Sequence, residues 1–409
     1  MRWRFPAILV HWGILAFLVV YPVMTTADES EPVTTEVFRA ETGGYAQYRI
    51  PGLVVTSKGT LLAYCEARKG ITSDWVAIDV LMRRSTDGGR TWSDPQKVAN
   101  PPAGITKNPV ALAQKLAGPD DQTINNPVAI VDRQTGSIHL LYCVEYARCF
   151  HVRSDDDGVT FGPPTEITAT FERFRSDYPW KVLAAGPGHG IQLANGRFVV
   201  PVWLSNGEGG HGHRPSMVSV VHSDDHGKTW ERGDVVVNHP NPLNPSETAA
   251  VELSDGRVML NIRNESEPRL RAYSISPDGA KAWSDFGFDK QLPDPICFGS
   301  LVRLPRQPGH DKIRILFSNL DNAKNRDRKN LTIRLSEDDG QTWPVSKALV
   351  PGESGYSDLA AGDDGTIYCF YEEGRAGKVP FNPRVLLLSR FSEAWLREAK
   401  TPVESPAKP

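Results

Sequence analysis

One short pattern recurs along the chain and restricts its fold more than any other feature. "STDGGRTW" begins at Ser85, "SDDDGVTF" at Ser154, "SDDHGKTW" at Ser223 and "SEDDGQTW" at Ser336, and a worn copy, "SPDGAKAW", begins at Ser276. All five place Ser and Asp two apart and an aromatic residue seven past the Ser. The four intact copies also share Gly and Thr. Each residue type suits a tight turn. Asp and Ser oxygens accept from backbone N–H groups within the turn. Gly adopts positive φ without penalty, and the aromatic packs beneath the turn and pins it to a core. Strand-like runs such as "IDVLMRR" and "PSMVSVVH" precede the copies, so the repeated unit is strand, tight turn, strand. The first three copies are 69 residues apart and the next intervals are 53 and 60. Such periods fit four-stranded propeller blades with loops of variable length, and the span 33–398 holds about six of them.

The repeated Asp and Ser residues look catalytic by type, but a motif that recurs once per blade is spread around the ring and cannot form one site. Function has to be sought in residues that do not repeat. Composition agrees with a large all-β domain. The 409 residues, 40% of them apolar, provide a sizeable core, and the 35 Gly and 32 Pro are distributed along the chain as turn formers. A net charge of −3 with no basic block argues against a nucleic-acid partner.

Residues 1–27 read as an export signal. Arg2 and Arg4 precede an apolar run from Ala7 to Tyr21, and Thr25-Thr26-Ala27 offers a small-residue cleavage site. An uncleaved anchor is the alternative. No stable membrane span is expected after cleavage, and a secreted or periplasmic monomer with a disordered tail at 399–409 is the expectation. The five cysteines (Cys65, Cys143, Cys149, Cys297, Cys369) are an odd number and do not make a disulfide scaffold. Cys143 and Cys149 are the nearest pair, though spacing does not show that they bond. No Cys/His cluster has zinc spacing, and "HGH" at His211–His213 reads as an ordinary Gly-rich surface loop, so no metal is expected.

Several charged or polar residues outside the repeat sit at strand ends. They are Arg49 in "YRIP", Arg68 in "CEARKG", Asp74 in "TSDW", Glu247 in "NPSETAAVEL", Arg263 in "LNIRN", Arg328 in "DRKNLTIRLS", Tyr356 in "SGYSDL" and Glu372 in "CFYEEG". With "GPGHGIQLANGRFVVP", these segments in this order resemble the exo-sialidases (neuraminidases) of the bacterial and animal type over nearly the full length. The resemblance implies a six-bladed β-propeller of four-stranded antiparallel blades with its site at the central axis. It implies Arg49, Arg263 and Arg328 as a carboxylate-binding triad and Asp74 as acid/base. It also implies Tyr356 as nucleophile, Glu247 as the base that activates it, Glu372 as support for Arg49, and Arg68 as a contact to the substrate's O4 region. The family often has S-D-x-G where this chain has "SDWVAID", so Asp79 competes with Asp74, which precedes the strand and lies in a loop. Arg326 competes with Arg328, which the spacing into "NLTIRLS" favours.

The chemistry coheres on its own terms. Taken singly, a strand-end Arg is ordinarily a surface ion pair and a Tyr ordinarily a packing residue. Three Arg aimed at one axis repel one another unless an anion fills the gap, and Arg grips a carboxylate with two parallel hydrogen bonds. Sialic acids carry a carboxylate on the anomeric carbon, which would repel a carboxylate nucleophile but not a phenol. A phenol needs a base beside it. The expected activity is hydrolysis of terminal sialic acids from glycoconjugates with retention and no cofactor. The alternatives are a trans-sialidase, a sialidase for a modified nonulosonic acid, and a non-catalytic glycan-binding propeller. The loops at 100–125 and 205–215 are those expected to shape linkage preference.

Overall fold

The computed structural model describes residues 31–307, 312–375 and 382–398, with residues 1 and 3. Apart from those two residues, the expected signal segment and tail lie outside the described residues. The fold is all-β and propeller-like, built from antiparallel sheets in which strands consecutive in sequence lie side by side. Three sheets are four-stranded. The first contains Gln47–Val55, Leu61–Arg68, Ile78–Ser85 and Gln96–Lys97; the second runs from Ile124–Val131 to Thr165–Glu166; the third runs from Thr248–Glu252 to Gly287–Pro293. A six-stranded sheet between Val182 and Asn238 adds two short pairings to a four-strand path. Strands such as "LLAYCEAR", "FVVPVWLS" and "SMVSVVHS" are buried at every position. Both of their faces are covered, so they carry apolar side chains on both faces rather than a strict alternation.

The last sheet differs from the expectation of separate four-stranded blades. It has seven strands, because Val345–Ala361 runs unbroken for 17 residues. Its first half pairs with Lys329–Ser336 and its second half with Ile367–Glu373. Five sheets therefore stand among the described residues. The first and last strands of the described residues meet in the seven-stranded sheet, where Val33–Arg39 pairs antiparallel with Val385–Phe391. Among the described residues no helix is long and apolar enough to cross a membrane. The tail segment "FSEAWLREAK" forms the short helix Glu393–Arg397, with Ser392 accepting from the Trp395 N–H.

The repeated turns share one hydrogen-bond pattern. In the copy at Ser223, the Ser hydroxyl bonds Asp225 Oδ1 at 2.8 Å and accepts from Gly227 N, while Asp225 accepts from both the N–H and the hydroxyl of Thr229. The copies at Ser85, Ser154 and Ser336 repeat it. The aromatics Trp92, Phe161, Trp230, Trp283 and Trp343 each pack into or against a different one of five hydrophobic clusters. The turn glycine also faces the preceding sheet. A Cβ on Gly227 would lie 2.6 Å from His139 Nδ1, and one on Gly158 would lie 2.9 Å from Leu62 Cδ2. The motif thus closes a turn and seats one sheet on the last. All five cysteines are free and buried, and Cys143 and Cys149 oppose each other across adjacent strands without a bond.

Candidate active site

Backbone irregularities aim the site residues. The pairing of Gln47–Val55 with Leu61–Arg68 slips between Arg49 and Gly52, and Ile50 sits at φ 58°. Positive φ is uncommon for a β-branched residue and marks local strain held by the surroundings. A second slip, between Ser354 and Ser357, carries Tyr356, and a third, between Asn125 and Val128, carries Asn126 at φ 51°. Bulges of this kind re-aim side chains. Here they turn Arg49, Asn126 and Tyr356 into one cavity.

The cavity has a volume of about 290 Å³ and takes residues from every sheet, so it lies where the sheets meet. Arg49 and Arg68 come from the first sheet and Tyr146 from the second. Trp203 and His213 come from the six-stranded sheet and its loop, Glu247 and Arg263 from the edge of the sheet that follows, and Arg328 and Tyr356 from the last. All the expected site residues line it except Glu372, which lies directly behind. The competing candidates are elsewhere. Asp79 accepts from the Tyr45 hydroxyl at 2.7 Å and pairs with Lys97, and Arg326 is exposed on its loop.

Glu372, 2% exposed, serves three donors. Its Oε1 accepts from Arg49 Nε at 2.7 Å and from Ile50 N at 3.1 Å, and its Oε2 accepts from Tyr356 N at 3.0 Å. One buried carboxylate therefore fixes both bulges. Tyr356, 4% exposed, donates its hydroxyl proton to Glu247 Oε1 at 2.7 Å and accepts from Arg263 Nη1 at 2.7 Å. Arg263 also pairs with Glu247. The Arg49 and Arg328 guanidiniums stand 5.5 and 5.0 Å from the centre of the Tyr356 ring. Burial raises the Tyr356 phenol well above its usual range and Glu247 adds to this, while Arg263 and Arg328 pull it down. The phenol is therefore held neutral beside an acceptor that can take its proton.

Asp74 lies at the mouth, its side chain half-exposed. Arg68 is gripped by Glu66 through Nε at 3.0 Å and Nη2 at 2.6 Å, and its Nη1 donates to Asp74 Oδ1 at 2.6 Å. Desolvation alone would raise the Asp74 carboxyl, but Arg68, with His213 and Arg49, holds it well below the usual range.

Sequence reasoning missed part of the wall. Glu66, fully buried, was visible in "CEARKG" but had no motif of its own. Tyr146, Trp203 and His213 form an aromatic side with Trp75. Ring centres are 4.4 Å apart for Trp75–Tyr146, 5.0 Å for Tyr146–His213 and 5.2 Å for Trp203–His213. The reading of "HGH" as an ordinary surface loop is therefore corrected. His211 is exposed, but His213 lines the cavity, and burial pushes its imidazole down to about 4. Among the described residues no group of His, Cys, Asp and Glu is arranged to hold a metal ion.

A BNR repeat-like domain model matches residues 59–369. The chain belongs to the BNR-repeat sialidase family. It is 35% identical over 393 residues to a sialidase of Micromonospora viridifaciens, covering 90% of this chain and 55% of the relative. It is 30% identical over 350 residues to a sialidase of Bacteroides fragilis, covering 81% and 61%. The chain thus spans somewhat over half the length of these two relatives. Among solved structures, a Hadza microbial sialidase superposes with a TM-score of 0.73 at 26% identity, covering 89% of this chain and 69% of that one.

Proposed function

We propose that this family member is an exo-α-sialidase that hydrolyses terminal sialic acids from glycoconjugates with retention of configuration. The observation that carries the reading is the Tyr356 hydroxyl hydrogen-bonded to Glu247 with three guanidiniums grouped around the ring. In this reading Arg49, Arg263 and Arg328 bind the substrate carboxylate. That contact places the anomeric carbon over the Tyr356 oxygen. Glu247 takes the phenol proton as the oxygen attacks, and Asp74 gives its proton to the departing glycosidic oxygen. In the second half Asp74 removes a proton from water, the water oxygen bonds the anomeric carbon as its bond to the Tyr356 oxygen breaks, and Glu247 returns the proton to Tyr356. For Asp74 to act as an acid its contact with Arg68 must weaken. A sugar hydroxyl competing for Arg68 Nη1 would do this and couple substrate binding to protonation.

We also read the architecture as six blades. The long strand Val345–Ala361 would serve as the last strand of one blade and the first of the next, with Val33–Arg39 completing the final blade. The apolar segment behind Arg2 and Arg4 supports export to a secreted or periplasmic location, and a monomer suffices because one chain supplies every site residue.

The test uses a 4-methylumbelliferyl sialoside. The protein is expected to release the fluorophore. Tyr356→Phe, which loses the nucleophile, and Asp74→Ala, which loses the base for the water of the second half, are each expected to lower kcat by roughly 10²-fold or more. Proton NMR of the first-formed sugar is expected to show the α-anomer. A wild-type protein inactive on a panel of sialosides and related nonulosonic-acid glycosides would overturn the reading.

A further inference from the structure

Among the described residues Asp74 pairs through its side chain with Arg68 alone, yet both of its neighbours in sequence are tied down from behind. The Ser73 hydroxyl donates to the Leu116 carbonyl and accepts from Trp75 N. On the other side, Lys107 Nζ donates to the Trp75 carbonyl at 2.8 Å, to the Asp121 carbonyl at 3.0 Å and to Thr123 Oγ1 at 2.8 Å. The Thr123 hydroxyl in turn reaches the Trp75 and Val76 carbonyls at 2.7 and 3.0 Å. Glu145 stands 3.1 Å from the ammonium with both side chains almost fully buried, and its Oε1 accepts from Thr123 N. Its Oε2 faces the ammonium, which donates to the three other partners.

A buried charge pair is costly to assemble and is weak evidence of stabilisation by itself. This one does a specific job. It spends an ammonium's donors on the main chain next to Asp74, and it bridges two sheets, since Glu145 immediately precedes the cavity residue Tyr146 at a strained turn with φ 58° and 47°. The segment 107–123 is therefore more than a rim loop.

We propose that Lys107, paired with Glu145, is a positioning residue that sets where the Asp74 carboxyl stands relative to the departing oxygen. The inference rests on Asp74 being the general acid, as proposed above. A general acid matters most when the leaving group is a poor one, so its misplacement falls on a sugar leaving group and largely spares an aryl one. Displacements of about 1 Å at a reacting group cost on the order of 10²-fold.

The experiment compares 3′-sialyllactose with the 4-methylumbelliferyl sialoside. Lys107→Met/Glu145→Gln removes both charges together, so no buried charge is orphaned. Thr123→Val, close in shape, removes the hydroxyl link while keeping the pair, and still reports if the double variant folds poorly. Asp74→Asn is run beside them. The expected result is a loss of about 10²-fold in kcat/KM on sialyllactose against a few-fold on the aryl sialoside for the double variant, with the same direction and smaller size for Thr123→Val. The Kd of an unsaturated sialic acid analogue should stay within about threefold, because the arginine clamp is untouched. If Asp74→Asn separates the two substrates and neither network variant does, the positioning role is overturned. If Asp74→Asn lowers both substrates equally, the acid assignment beneath it falls instead.

Discussion

At the scale of the residue, the site depends on carboxylates that hold arginines more than on the arginines themselves. A guanidinium aimed at a cavity is useful only if its plane is fixed, and Glu372 fixes that of Arg49 through Nε while leaving the rest of the group to the cavity. The same carboxylate holds Ile50 N and Tyr356 N, so it couples the backbone beside Arg49 to that of Tyr356, the proposed nucleophile. Glu372→Gln keeps the shape but puts an amide donor against one of three donors. The expected outcome is a loss of about 3 kcal/mol of stability from the uncompensated buried Arg49. If Arg49 binds the substrate carboxylate as proposed, KM for the aryl sialoside should also rise by about tenfold, because a loosened guanidinium grips it less well. Urea unfolding and steady-state kinetics on one preparation check both. A variant that unfolds earlier but binds substrate normally would separate Arg49 from substrate binding. Most of these residues were legible because each sits in a short ordered motif. Glu66, Tyr146, Trp203 and Lys107 were not, since their partners lie far away in sequence, as Glu66 with Asn126 and Lys107 with Trp75 show.

At the scale of the element, the repeated turn was the legible part, because its hydrogen bonds close within eight residues. The fused strand Val345–Ala361 was not. Its "PGESG" reads as a break, yet the glycine at 355 answers a distant neighbour: a Cβ there would lie 2.1 Å from Glu372 Oε2. The turn glycines make a sharper prediction. Gly227 has φ 75° and faces His139, whereas Gly256 has φ 85° and faces nothing within 4 Å. Alanine at Gly256 carries only the backbone cost of a left-handed residue, about 1 kcal/mol. Alanine at Gly227 carries that and an overpacked contact between sheets, roughly 3 kcal/mol in all. Equal losses for the two variants in denaturant unfolding would show that the motif closes turns without seating one sheet on another.

At the scale of the whole molecule, the sheets are assembled around buried imidazoles that resist protonation. His139 and His151 lie 3.0 Å apart on neighbouring strands, and burial pushes them down to about 4 and about 3. His213 in the cavity wall is also pushed down by burial, to about 4. Each binds its proton more readily in the unfolded chain, where histidine titrates near 6.5. Their stabilisation is therefore fully present above about pH 6.5 and drains away as the pH falls toward 4 and below. His189 runs the other way. Asp358 raises it against the effect of burial, so its contribution is present at low pH and fades as the pH rises. The depressed carboxylates of the turns, such as Asp156 and Asp278 at about 2, lose their contribution only below about pH 4, so they are silent between pH 7 and 5, where the histidines act. At pH 5 each depressed histidine should cost about 2 kcal/mol relative to neutral pH. Urea unfolding at pH 7 and pH 5 should show this fall, and His151→Gln should remove about one histidine's share of it. A variant whose stability drops as steeply as the wild type's would take the paired imidazoles out of the account and leave acid sensitivity to groups nearer the site.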